Sequence, residues 1–146
     1  MFVVPGHLGV GLIVSALAGF NSFDALMLVI GSIIPDFDTI PYLFGVDYRK
    51  THRTITHSIF MPLVTALISI PLTIGLVIHL LFDVMFYPGT KLFYPFSQKE
   101  FYVIKGRLKK YYDPLLMISD WFKKKRIMAF ELLLLFIGIF LSLRTI

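Results

Sequence analysis

At 146 residues the chain has room for one hydrophobic core and no second domain. It is 57% hydrophobic and 16% charged, against about 25% charged in soluble domains, and its mean hydropathy of +0.80 makes lipid the expected solvent for much of its surface. It has no cysteine, which excludes disulfides and thiolate ligands. A bound metal must then sit on imidazole nitrogen and carboxylate oxygen, a set suited to zinc, manganese or iron and poorly suited to copper(I).

Leu8 to Phe20 is the first apolar run. No Lys or Arg precedes it, so it lacks the positive start of a signal peptide and reads as a retained first helix. Asn21-Ser22 supplies a turn and cap for a second run, Ala25 to Ile34, which Pro35 closes. The longest run, Ser58 to Ile78, continues to Met85, and Pro71 is expected to break it into Ser58 to Ser69 and a helix from Leu72 to Phe86. Asp113-Pro114 opens a short amphipathic helix through Phe122, and Ile127 to Leu143 is the last apolar run, interrupted by Glu131. A faint strand pattern occupies Phe101 to Ile104. The expected class is all-α: a compact membrane-embedded bundle of about five helices, several too short to cross a bilayer without tilting or thinning it. The chain reads as one unit over 1–146, with a motif-bearing core at 1–97, a basic cytoplasmic segment at 98–126 and a C-terminal transmembrane helix at 127–144.

The net charge is +5, and ten of the fourteen Lys and Arg residues lie between Lys91 and Arg126, where the acids are Glu100, Asp113 and Asp120. A basic segment beside membrane favours the cytoplasmic side and anionic headgroups. A nucleic-acid patch is the competing reading of those charges. It weighs less, because Lys123, Lys124, Lys125 and Arg126 abut the start of an apolar helix. The chain is therefore expected in the cell (inner) membrane as a multi-pass protein with the bilayer as its main partner. The sequence sets no oligomeric state.

His7, Asp36, Asp38, His52, His57, His79 and Asp83 all fall at the edges of apolar runs. An ionisable group beside hydrocarbon is costly unless paired or bound to a cation. His79 and Asp83, four apart, share a helix face and suit either a common metal or a buttressing hydrogen bond. Asp36 and Asp38 project to one side if the chain leaves its helix extended, and a cation between them would relieve their repulsion; a solvated helix exit is the plainer alternative. His52 and His57 flank Arg53, a bidentate phosphate partner, on a loop before a helix start. Glu131 is expected to pair with the neighbouring lysines. If the first helix leaves the cytoplasmic face and the second returns, and if Pro71 makes a hairpin, every one of these clusters converges near one membrane face.

The blocks Gly6-His7, Ile34-Pro35-Asp36-Phe37-Asp38, His52-Arg53-Thr54-Ile55-Thr56-His57-Ser58, His79-Leu80-Leu81-Phe82-Asp83 and Pro95-Phe96-Ser97 resemble the YdjM family, bacterial and archaeal membrane-bound metal-dependent hydrolases. The resemblance covers residues 6–97, and Thr54 stands where the family usually has Gly. It implies an all-helical fold distantly similar to zinc-dependent phospholipase C, whose relatives cleave phosphoesters with clustered zinc. It also implies His7, Asp36, Asp38, His57, His79 and Asp83 as metal ligands, with His52 from the same block. The expected function is a membrane-bound, metal-dependent hydrolase of a small or lipid phosphoester, using more than one divalent ion, zinc before manganese or iron. Asp36 is the expected base, with Asp38 as its alternate, and Arg53 neutralises phosphate charge. The alternative is a membrane protein that binds or transports a metal without catalysis.

Overall fold

The computed structural model describes residues 3–85, 88–104 and 113–145. Among these the regular elements are all helices, while 88–104 is turns and coil in which Thr90 and Phe101 form an isolated antiparallel bridge, at the start of the faint strand pattern. Helix α1 spans Val4–Ala18, with Pro5 in its first turn, where a missing N–H costs nothing. Gly19 ends it in the left-handed conformation. Helix α2, Ser22–Ile33, is capped as expected: the Asn21 side chain accepts from the Asp24 N–H at 2.9 Å.

The exit from α2 is where expectation and structure part. The Asp36-Phe37-Asp38 stretch is not extended; it lies in a 3-10 helix over Ile34–Phe44, started by Pro35. At three residues per turn, positions two apart point about 120° from one another. Asp36 and Asp38 therefore face different neighbours rather than one shared side. A short helix α3, Tyr48–Thr51, and a turn of 3-10 helix over Ile55–His57 carry the chain to α4, Phe60–Thr65. The break after α4 falls at the expected place, and α5 runs from Ile70 to Met85 with Pro71 in its first turn. Asp113 caps α6, Pro114–Lys123, by accepting from the Leu115 N–H at 2.8 Å, and α7 covers Lys125–Thr145.

The bundle is organised by two close helix pairs, α1 on α7 and α2 on α5, joined through α1 on α2. Glycine makes both crossings possible. A Cβ on Gly31 would strike the Leu72 carbonyl, one on Gly75 the Leu28 carbonyl, and one on Gly9 the backbone of Leu134 and Leu135. Small residues at a crossing bring backbones together, which is how helices associate where water supplies no drive. Glu131 does not reach out to the lysines; it is 1% exposed, and its Oε2 accepts from the Val3 N–H at 3.1 Å at the start of α1.

Helix α7 is the one described helix long and apolar enough to cross a bilayer, with a mean hydropathy of 2.2 over Lys125–Arg144. Only 11% of that stretch is buried, which separates it from the core helix of a soluble protein. Phe130, Leu133, Phe136 and Leu143 are each more than half exposed. An apolar surface of that extent calls for lipid or a partner.

Candidate metal centre

Four elements meet at one end of the bundle and deliver five ionisable side chains. His7 comes from the first turns of α1, Asp36 from the 3-10 exit of α2, His57 from the turn before α4, and His79 and Asp83 from the second half of α5. His7, His57, His79 and Asp83 are all at most 2% exposed. The His57 Nε2 lies 3.2 Å from His79 Nε2, 3.9 Å from Asp36 Oδ1 and 3.5 Å from Asp83 Oδ2. His79 Nε2 in turn lies 3.8 Å from Asp36 Oδ1 and 3.9 Å from Asp83 Oδ2. His7 stacks on His79 at a centroid distance of 3.8 Å, with its Nε2 3.7 Å from Asp83 Oδ1.

The outward nitrogens of these rings fix what the inward ones are. The His79 Nδ1 is 2.8 Å from the Ser32 carbonyl, an acceptor left over at the C-terminal end of α2. A carbonyl only accepts, so Nδ1 carries the proton and Nε2 presents a lone pair. The same holds for His57, whose Nδ1 is 3.1 Å from Asp38 Oδ2. Burial lowers the His57 pKa to about 4 against the opposing pull of Asp38, so the ring is neutral at pH 7. Two bare nitrogens therefore face each other at 3.2 Å, with two carboxylates beside them. Arg53 pairs with Asp83, but among the described residues no donor meets the two facing nitrogens. A tetrahedral cation with bonds of about 2.0–2.1 Å holds its ligand atoms roughly 3.3–3.4 Å apart, so the spacing suits a small divalent ion.

Asp38 behaves differently from Asp36. Its Oδ1 accepts from His52 Nδ1 at 2.7 Å, and its Oδ2 from the Arg53 N–H at 3.1 Å, from Thr56 Oγ1 at 2.7 Å and from His57 Nδ1 at 3.1 Å. Burial alone would raise Asp38, but the bonds from His52 and His57 outweigh it and hold the carboxyl well below its ordinary range. Asp36 has no such donors among the described residues. Burial, aided by the Asp83 and Asp38 charges and opposed by His7 and His52, pushes it up to about 6. Asp36, His52 and His57 form a second group able to hold a metal ion, beside His7, His79 and Asp83.

Arg53 is the strained residue of the site. Its φ of 58° is left-handed, rare for a residue with a side chain, and it is 9% exposed. The strain places its N–H on Asp38 while its guanidinium reaches past, Nη1 to the Gly89 carbonyl and Nη2 to Asp83 at 3.2 Å. Its Nε is buried with no hydrogen-bond partner among the described residues.

The structure thus gathers every residue singled out from the sequence: His7, Asp36, His57, His79 and Asp83 at the centre, Asp38, His52 and Arg53 against them. The sequence reading missed the Ser32 carbonyl, which no side-chain pattern reveals, and Thr56, whose place between two histidine-block residues was the available signal. No curated protein and no solved structure matches the chain. A family model described as the YdjM inner membrane protein matches residues 1–146, the whole length, and the chain belongs to that family.

Proposed function

We propose that the chain is a membrane-bound, metal-dependent hydrolase of phosphoesters. The observation that carries this reading is the pair of buried imidazole lone pairs facing each other at 3.2 Å beside two carboxylates, an arrangement that a divalent cation satisfies. His57, His79, Asp36 and Asp83 would hold such an ion, with His7 and His52 available to a second through the two neighbouring groups. A bound divalent ion supplies Lewis acidity toward a phosphoryl oxygen and toward the attacking water. Zinc fits the mixed imidazole and carboxylate set best.

The chain's own residues supply the rest. Asp36, whose carboxylate has no hydrogen-bond donor among the described residues, is assigned to take the proton of the water. Asp38 is assigned to positioning: it fixes the rings of His52 and His57 so that their other nitrogens point inward. Arg53 offers its guanidinium to phosphate charge.

Transport without catalysis asks for polar groups along the depth of the bundle. In the first half of α5 the polar side chain is Thr73, and its hydroxyl is spent on the Ser69 carbonyl at 2.9 Å and on Thr65. The polar groups cluster at one end, as a hydrolytic site requires. That end is assigned to the cytoplasm, because the basic segment follows directly from it.

Purified protein loaded with zinc or manganese should hydrolyse a phosphomonoester or phosphodiester from a small panel, and Asp83→Asn should not. Full metal loading with no turnover on any phosphoester would leave the non-catalytic reading. A cysteine in place of exposed Lys99 should resist membrane-impermeant thiol reagents in intact cells; labelling there would place the site on the outer face.

A further inference from the structure

A small cavity of about 120 Å³ opens directly onto the centre. Its floor is polar, made by Asp36, His52 and Arg53, and its walls include Val4 from α1 and Met117 and Ile118 from α6. Pockets that enclose a whole drug-sized ligand run to about 300–1,000 Å³. This one has space for a head and not for the body attached to it.

Helix α6 shows where the body would go. It buries no residue fully; Leu115, Ile118 and Phe122, spaced one and two turns apart on one face, are 64%, 42% and 60% exposed. Ile118 belongs both to that stripe and to the cavity wall, so the exposed apolar face of α6 adjoins the cavity. Lys123, Lys124, Lys125 and Arg126 follow at once, the pattern of a helix lying at the surface of an anionic membrane. On the floor, Arg53 contributes a buried Nε–H with no partner among the described residues. A donor of that kind is costly to leave unmade and suits a phosphate oxygen.

We infer that the cavity seats the phosphate of a membrane lipid against Arg53 and His52, with the lipid's apolar chains leaving past Ile118 along α6 into the bilayer. The inference rests on the metal-site reading, since Asp36 on the floor repels phosphate unless a cation is bound beside it. The substrate is thus an amphiphile taken from the membrane, not a phosphoester taken from water.

Trp121, the single tryptophan of the chain, sits on α6 and reports on this path. Metal-loaded protein would be placed in phosphatidylcholine vesicles containing a small fraction of brominated phosphatidic acid in its phosphonate form, which binds without turnover. Trp121 should be quenched several-fold more than by the same fraction of brominated phosphatidylcholine. Ile118→Asp, at a part-exposed position, should abolish the preference with metal content unchanged, and Arg53→Lys should weaken it. Equal quenching by the two lipids overturns the inference. So does full displacement of the phosphonate by water-soluble glycerol 3-phosphate, which would make free phosphate the ligand. Absence of turnover of hydrolysable phosphatidic acid by the metal-loaded protein, with lipid-selective quenching intact, would sink the hydrolase reading alone.

Discussion

Helices α5 and α7 are both apolar, both packed against a partner through glycine, and both interrupted by buried ionisable groups. The use made of those groups differs. On α5, His79 and Asp83 meet imidazoles and carboxylates from three other elements, and the His79 Nε2 is left facing another bare nitrogen at 3.2 Å. On α7, Glu131 meets a backbone N–H at 3.1 Å, that of Val3, at the positive end of α1. One helix gathers charge for a ligand; the other uses a single carboxylate to pin a helix start. What separates them is company: several ionisable groups converge on α5, whereas Glu131 faces a helix start.

The contrast is sharpest under substitution on α5. His79→Ala or Asp83→Asn should remove the divalent metal from the purified protein, a loss larger than the roughly 10–100-fold weakening typical of supporting residues. Asp83→Asn should also destabilise the fold, because it strips Arg53 of its buried counter-charge. If His79 merely buttresses α5 through the Ser32 carbonyl, its replacement would cost about 1–3 kcal/mol and leave metal content alone.

Asp38→Ala comes next. With the His52 and His57 rings released, metal affinity measured by chelator competition should fall about 10–100-fold, while loading at saturating metal is retained. Complete loss of metal would show Asp38 to be a direct ligand.

The pH dependence is smaller and has a definite sign. Asp36 is raised from 3.8 to about 6, so in the metal-free protein its proton is retained below pH 6 and stability from it declines as pH rises through 6. Metal must displace that proton below pH 6, and affinity should therefore rise with pH by up to about tenfold per unit between pH 4 and 6, then flatten. His57, lowered to about 4, contributes stability present above its unfolded value near 6.5 and lost as pH falls through 4, so between pH 4 and 6 it opposes the Asp36 contribution. A flat affinity profile from pH 4 to 7 would remove Asp36 from the ligand set.

Glu131→Gln should do least. Its amide oxygen still accepts from Val3, so metal content should not change and stability should shift by less than about 1 kcal/mol. Loss of metal in this variant would move the site toward α7.

Much of this was legible in the sequence because apolar runs and their punctuation are local. Asn21 caps α2, Pro71 opens α5 and Asp113 caps α6, each where the chain announces it. The convergence of His7, Asp36, His57, His79 and Asp83 followed from counting helix reversals. What depended on tertiary choice was hidden. The 3-10 path after Pro35 separates Asp36 from Asp38 and decides which carboxylate faces the lone pairs. The partner of Glu131 lies 128 residues away and is a backbone group, which no pattern of side chains encodes.

The central claim is that the crowded imidazoles and carboxylates at one end of the bundle are a metal centre. Elemental analysis of protein purified in detergent without chelator tests it most directly. Near-stoichiometric zinc or another divalent ion is predicted, lost in Asp83→Asn and kept in Glu131→Gln. Absence of metal, together with no thermal stabilisation on adding zinc or manganese, would contradict it.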